Sequence, residues 1–453
     1  MSDFMRNSDA FTWSMESDPR LRSTVVTVLM LDRSPDWAEV RGRVERLSLE
    51  LPMLRQTVVD SPPPAPPRWQ DCADFDLDFH LRRIAAPTGG GFDAVLELAR
   101  LAQMEDLDRA RPMWKLTLVE GLPDGEAALL CTFHHSLTDG IGGIQIAMTL
   151  FGLSPEMPAV EDAARPAPQR SALDDYRDSA RYGLGVVGSA VTGALSALPR
   201  LVADTVRSPV KTLDSAAAMA ASVYRTVRPV NSTGSRLMTQ RTLIRRLDVL
   251  EVPMPPLREA AHRSGGALND AFVAGVAGGL RLYHEKHGTG VEALHLCMPI
   301  SLRAEGDAPG GNRITLMRFD IPAGLTDPAE RIRQIRERTE RVRHEKSLPY
   351  TQAIAGALNL MPRWYIGSIL RHVDFLCSDV PGIPVPVYLG GAKVRIQYAF
   401  GPTIGSAVNV TLLTYVDTCA LGIDVDSGAI PDIGLFRECL QAGFDEVLAL
   451  AAD

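Results

Sequence analysis

His134 and His135 stand side by side, and Ser136, Leu137, Thr138, Asp139 and Gly140 follow them. A neutral imidazole at pH 7 can take a proton from a hydroxyl, which is what a general base must do. An acid four residues on can hold a ring or the neighbouring backbone in place. Such a base makes an alcohol nucleophilic toward an activated acyl group. A thioester is such a group, because its thiolate leaves without much protonation. No covalent acyl-enzyme is then needed, and the chain carries no Gly-x-Ser-x-Gly nucleophile elbow. It also lacks a Walker A loop and a Gly-x-Gly-x-x-Gly following a strand. Two blander readings stand beside this one. The pair can be packed, hydrogen-bonded core groups, or it can join Asp139 on a metal ion. The metal reading is the weakest, since neighbouring histidines seldom point at one ion, so no metal is expected.

The surrounding elements must deliver that pair. Residues 127–133 are an apolar run that reads as a buried strand ending at the histidines. Residues 141–148 suit a helix with small residues at its start, and Asp139 and Gly140 can turn the chain between the two. Residues 111–119, closed by a turn at 122–125, pair with the run as a hairpin. Earlier come a β-branched strand at 23–31, a helix at 36–49, a strand at 57–59 and a proline-rich loop at 62–67. Residues 75–83 read as a strand and 92–107 as a helix. Residues 155–168 are acidic and proline-rich. Residues 172–227 are rich in Ala, Gly and Ser and broken at Pro199 and Pro209. They read either as a helical linker packed on the body or as a lipid-facing surface flanked by Arg181, Arg200, Arg207, Lys211 and Arg225.

From about residue 240 a second α+β unit begins. It has a strand at 243–250, a helix at 252–264, and Leu268-Asn269-Asp270 capping a long apolar helix. A strand at 293–300 precedes a charged helix at 327–346, with Ile332, Ile335 and Val342 inward and its arginines on a solvated face. Residues 375–382 run from strand into turn, 408–415 and 419–425 form a hairpin, and 432–452 a last helix. The expected division is 1–160 for a first lobe, 161–240 for a helical linker and 241–453 for a second lobe.

At 453 residues the chain is too long for one compact core. Hydrophobic content of 45% and charged content of 23% are those of a soluble globular protein. A net charge of −8 argues against a nucleic-acid binder. Cys72, Cys131, Cys297, Cys377, Cys419 and Cys439 form no Cys-x-x-Cys pair and suit unpaired, mostly buried thiols in a reducing cytoplasm. The first residues show no secretory signal, and the uncharged stretch 182–199 is marginal for a membrane crossing.

The His-His-x-x-x-Asp-Gly signature resembles the CoA-dependent acyltransferase superfamily typified by chloramphenicol acetyltransferase and peptide-synthetase condensation domains. The wider pattern is similar to the bacterial wax ester synthase/diacylglycerol acyltransferase family, nearly end to end. Carrying it are Leu51-Pro52-Met53-Leu54-Arg55-Gln56, Arg111-Pro112-Met113-Trp114, Glu120-Gly121-Leu122, Leu268-Asn269-Asp270, Pro299-Ile300-Ser301-Leu302-Arg303, Gly311-Asn312-Arg313 and Ser378-Asp379-Val380-Pro381-Gly382. Met113 stands where the family has Leu, and Asp379 where it has Asn.

The resemblance implies two chloramphenicol-acetyltransferase-like α/β lobes with mixed sheets and a tunnel between them. Acyl-CoA and an acceptor, diacylglycerol or a long-chain alcohol, would enter from opposite sides and meet at His135, the base. His134 would pack and orient. Asp139 would hold the loop through an ion pair with Arg55. Gly140, Asn269, Asp270 and Arg303 would support the site. Asn269 reads equally well as a plain helix cap. The product would be triacylglycerol or wax ester, with acyl-CoA as cosubstrate and no cofactor. Contact with the inner membrane or lipid droplets is expected of such substrates. A relative that acylates a specialised lipid or polyketide hydroxyl, and a catalytically silent lipid-binding protein, are the alternatives. Asp379 in place of Asn bears on acceptor preference.

Overall fold

The computed structural model describes residues 4–16, 18–62, 65–137, 140–156, 232–301, 314–345, 348–359, 361 and 372–452. The first part of the chain supplies six strands. They are β1 (Thr24–Leu31), β2 (Gln56–Val59), β3 (Arg68–Asp71), β4 (Leu81–Ala85), β5 (Trp114–Glu120) and β6 (Ala127–His134). The second part supplies eight: β7 (Arg245–Pro253), β8 (Ala293–Ser301), β9 (Ile314–Pro322), β10 (Phe375–Val380), β11 (Tyr388–Leu389), β12 (Ala392–Phe400), β13 (Val408–Tyr415) and β14 (Thr418–Asp426). The helices are α1 (Asn7–Met15), α2 (Trp37–Glu50), α3 (Leu77–His80), α4 (Phe92–Met104), α5 (Gly140–Leu150), α6 (Met254–Arg263), α7 (Leu268–Lys286), α8 (Pro328–Arg343), α9 (Thr351–Leu358) and α10 (Ile433–Ala452).

Two six-stranded mixed sheets result. The first runs β11-β12-β1-β6-β5-β4 and is antiparallel except for the β4–β5 pair; β2 and β3 pair apart from it. The second runs β7-β14-β13-β10-β8-β9, with parallel pairs on both sides of β10. The expected two-lobe α/β architecture is therefore present. The sheets do not respect the division expected at residue 240, however. Strands β11 and β12, from late in the chain, complete the first sheet, with Val26 opposite Phe400 and Val28 opposite Tyr398. The first half of β12 alternates buried and exposed, and its second half is buried throughout. There it is covered on both faces, because the second sheet packs on it: a Cβ on Gly422 of β14 would collide with Ala399 O.

Local departures have local causes. Residues 75–83 were expected as one strand. The structure instead makes one helical turn, α3, before β4, because the Asp76 carboxylate accepts the Asp78 N–H at 3.0 Å and starts a turn. The arginines of α8 are not all solvated. Arg331 is fully buried, donating to Glu446 Oε2 at 2.9 Å and to Leu325 O at 2.9 Å. Space for it comes from α7, where a Cβ on Gly278 would lie 2.6 Å from Arg331 Nη2.

The second lobe's core is close-packed around α7 and α10. A Cβ on Gly275 would meet the Phe444 ring at 2.5 Å, and one on Gly443 would meet Gly275 O at 2.5 Å. Glycines at that crossing let two helix backbones touch. All six cysteines are free, and five are buried. Among the described residues no helix is long and apolar enough to cross a membrane; the stretch 161–231 lies outside them, as do the linker and lipid-facing readings that fall on it.

Candidate active site

Strand β6 sits in the middle of the first sheet, between β1 and β5. Its last residue, His134, is opposite Thr24 of β1 and donates its N–H to Met113 O at 3.0 Å. The next N–H, that of His135, goes to Ser23 O at 2.8 Å, and the Leu137 N–H returns to His134 O at 3.0 Å. The turn is thus tied on both sides before α5 begins at Gly140.

The two rings differ completely in surroundings. His134 is fully buried. Its Nδ1 receives the Ser136 backbone N–H at 3.2 Å and lies 2.6 Å from Ser136 Oγ. A backbone N–H can only donate, so Nδ1 keeps its lone pair and the ring proton belongs on Nε2. Nε2 faces Glu16 Oε1 at 3.2 Å, somewhat off the ring's N–H axis. The Trp13 ring packs edge-on at 5.6 Å between centroids. Glu16 also accepts the Ser23 N–H at 2.5 Å. Burial pushes the Glu16 carboxyl up. The close approach of the His134 ring, the Ser23 N–H and Arg22 outweigh that and hold it below the usual glutamate value. Glu16 therefore holds one side of Ser23 and His135 the other. Sequence reasoning did not single it out.

His135 is half-buried and lines a cavity of about 190 Å3 between the lobes. The first sheet contributes Val25, Thr27, Leu29, Leu116, Cys131 and Phe133, and α5 contributes Ile146, Ala147 and Leu150. The second lobe contributes Pro299, Leu316, Leu376, Val380 and Leu413. Polar side chains reach it at Ser378, Gln397, Asn409 and Thr411. Asn409 and Thr411 are themselves tied down: Asn409 Nδ2 donates to Pro402 O at 2.8 Å, and Thr411 Oγ1 donates to Asn409 Oδ1 at 3.2 Å. These two also went unnamed from the sequence. Polar residues at alternate positions of an otherwise apolar strand, Val408 to Leu413, were the signal available.

The other expected residues divide. Thr138, Asp139, Arg303 and the stretch Gly311-Asn312-Arg313 lie outside the described residues, so the Arg55–Asp139 ion pair does too. Arg55 itself donates from Nε to Ser48 Oγ at 3.0 Å and stacks on Phe75, 4.6 Å from the ring centroid. Burial lowers its pKa, which Glu45 opposes.

Asn269 and Asp270 are not on the cavity. Helix α7 starts at Leu268, one turn position earlier than the expected Asn or Asp cap, and Asp270 reaches back to the Ala267 N–H at 2.9 Å. Its other oxygen accepts from Thr339 Oγ1 at 3.1 Å, tying α7 to α8. Asn269 is not the cap; its amide lies 3.7 Å from Met298 Sδ. Asp379 also faces away, because its neighbours Ser378 and Val380 face the cavity and a strand alternates. Burial lifts its carboxyl to about 6 against the pull of Arg343. Among the described residues no three His, Cys, Asp or Glu side chains gather as a metal site.

A family model described as the wax ester synthase/diacylglycerol acyltransferase catalytic domain matches residues 5–272, and the WS/DGAT C-terminal domain model matches residues 310–447. A Mycobacterium tuberculosis protein named as a candidate diacylglycerol O-acyltransferase is 36% identical over 457 residues, covering 100% of this chain and 93% of the relative. A second from the same species is 27% identical over 98% of this chain and 90% of its own. Among solved structures, the wax ester synthase/diacylglycerol acyltransferase from Marinobacter aquaeolei VT8 aligns with a TM-score of 0.63 at 21% identity, over 99% and 100% of the two chains. The first condensation domain of the CDA synthetase aligns with a TM-score of 0.64 at 14% identity, over 99% and 96%. At those identities the structural matches speak to the fold.

Proposed function

Since the chain belongs to the wax ester synthase/diacylglycerol acyltransferase family, we propose that it moves a long-chain acyl group from acyl-CoA to a hydroxyl, with His135 as general base. The observation that carries this reading is the contrast within the pair: His134 is sealed and locked in one tautomer, while His135 opens onto an apolar interlobe cavity. The acyl chain lies along the apolar wall of Val25, Leu29, Phe133 and Ile146. The acceptor oxygen attacks the thioester carbonyl as a ring nitrogen of His135 takes its proton. The C–O bond forms, the C–S bond breaks, and the imidazolium returns the proton to the departing thiolate of CoA. The site contributes orientation and dryness, since an apolar wall excludes the water that would hydrolyse the thioester. His134, Glu16 and Ser136 fix the turn that aims His135. Acceptors of this kind reside in lipid, so the protein works at a membrane or droplet surface.

The test is CoA release by the purified full chain with diacylglycerol, long-chain alcohols and short alcohols. The reading predicts release that depends on a long-chain acceptor. Release with a polyketide or other specialised hydroxyl alone would move the protein to the neighbouring acceptor class. Binding of acyl-CoA with no release under any acceptor would make it a lipid-binding protein instead.

A further inference from the structure

The first sheet gives the interlobe cavity a direction. Strand β1 lies between β12 and β6, and its register sets the levels along the cavity. The His135 N–H is held by the oxygen of Ser23, one residue before β1. From there Val25, Thr27 and Leu29 face the cavity in turn. Ala399 of β12 lies opposite Thr27 and Gln397 opposite Leu29, and both line the cavity. Past that level the same face closes. Leu31 and Val394 are paired and fully buried in the core. Beside them the Tyr415 hydroxyl donates to Val394 O at 2.8 Å and accepts the Val387 N–H at 3.1 Å. Gln397 thus stands at the far end of the sheet wall from His135, six residues along the strand, or about 20 Å.

An idle amide is costly there. Gln397 is 6% exposed, and among the described residues its Nε2 has no hydrogen-bond partner. Asn409 and Thr411, which also line the cavity, are spent: Asn409 Nδ2 on Pro402 O and Thr411 Oγ1 on Asn409 Oδ1. The Leu29 side chain opposite Gln397 offers no acceptor. Native interiors rarely leave a buried N–H unmatched, and methionine would fill the same space without that cost. A ligand atom brought to that level removes the cost. The ester and glycerol oxygens of diacylglycerol lie within a few bonds of the hydroxyl that reacts, so they stay near His135. A group far along the acyl chain reaches Gln397.

Resting on the acyl-transfer reading above, we infer that Gln397 selects acyl chains that carry a hydroxyl at their far end. Carbon–carbon bonds of about 1.5 Å set in a zigzag make an extended chain of about sixteen carbons roughly 20 Å long. The terminal hydroxyl of such a chain meets the Gln397 amide when its thioester is at His135. The hydroxyl oxygen accepts from Nε2. The amide can also turn about its last bond and present its oxygen, and a hydroxyl answers either end, whereas a methyl group answers neither. Gln397 touches none of the reacting atoms. It acts on which chain is taken, not on the proton transfer.

Palmitoyl-CoA and ω-hydroxypalmitoyl-CoA differ by that one oxygen, and the full chain can be given both. Equilibrium binding and kcat/KM for CoA release should each favour the hydroxylated chain about tenfold. The isomer with its hydroxyl beside the thioester should gain nothing over palmitoyl-CoA. Gln397→Met should reverse the preference, because the hydroxyl then enters an apolar end without a partner. Its Tm should not fall, since Nε2 bonds nothing in the protein. A wild type that treats the two chains alike, as an amide holding only water would, overturns the proposal without need of a variant. A preference that survives Gln397→Met, or that the isomer shares, lies elsewhere in the cavity and overturns it as well. The two readings fail separately. CoA release without preference sinks the role of Gln397 alone. A preference in binding with no release from any acyl-CoA sinks acyl transfer alone.

Discussion

The two lobes use the same kind of sheet for opposite purposes. In the second lobe one face of the sheet is covered by α7 and α10, whose backbones touch through Gly275, Gly279 and Gly443, and the other face lends Leu316, Leu376, Val380 and Leu413 to the cavity. In the first lobe the face bearing Val25, Thr27, Leu29 and Phe133 turns toward a hole. What makes the hole sustainable is the solid lobe beside it. Strand β12 belongs to the first sheet but presses its buried half on β14, at Ala399 and Gly422. Tyr398 adds a hydrogen bond to Glu251 of β7 at 2.6 Å. The cavity therefore has one wall it can shape by sequence and one wall that cannot yield. Changes on the cavity wall should alter turnover without stability, and changes at the α7–α10 crossing should do the reverse.

The largest separation is expected from filling the hole. Ala147→Trp, on the α5 wall, should cut turnover with long-chain acyl-CoA roughly a hundredfold, with Tm little changed, because it displaces substrate and not protein core. Shorter acyl chains should lose less, and equal losses at every chain length would break the comparison. The converse is Gly443→Ala. Its Cβ would meet Gly275 O at 2.5 Å, so denaturant unfolding should show a loss of about 1–3 kcal/mol. Turnover per folded molecule should stay at the wild-type value; a fall there would mean the α7–α10 crossing shapes the site.

Glu16→Gln sharpens the line within the first lobe. The amide can still meet Ser23 but no longer holds the carboxylate that faces His134 Nε2. We expect turnover to drop about tenfold with substrate affinity unchanged, read from kcat against KM. Asp379→Asn gives the smallest effect, and it depends on pH. Burial raises this carboxyl in the folded protein to about 6, above its unfolded value, so folding is opposed by its ionisation. That cost is full above pH 6, shrinks as pH falls through 6 and is gone below about 4. The variant should be more stable than wild type by about 1–2 kcal/mol at pH 8 and match it at pH 4, by thermal melts. A shift in acceptor preference would mean that Asp379 reaches the cavity after all.

Much of this architecture was legible before any coordinates, and the reasons differ by element. The run into His134 reads as a strand because apolar residues 127–133 pair on both sides with equally apolar neighbours, and a turn signature follows at once. The helices α2, α4 and α10 declare themselves by period, with Asp36 capping α2 through the Glu39 N–H at 2.9 Å. Strand β12 was not read, because its pairing with β1 joins distant parts of the chain and no local signal says which sheet it enters. Arg331 looked like a surface charge because its burial depends on a glycine of another helix. Glu16 was invisible for the same reason: its role exists only once Ser23 and His134 are brought beside it. Of the candidate site, the histidine pair was plain, whereas Asn269 and Asp270 were placed too near the chemistry because a helix start and a site motif share residue types.

The direct test is CoA release, followed by thiol titration, from wild type and His135→Ala at matched acyl-CoA and acceptor, with circular dichroism on both. A lost general base costs on the order of 10²–10⁴ in rate. We expect His135→Ala to fall within that range while its spectrum and Tm match the wild type. A correctly folded His135→Ala that releases CoA at the wild-type rate would contradict the account.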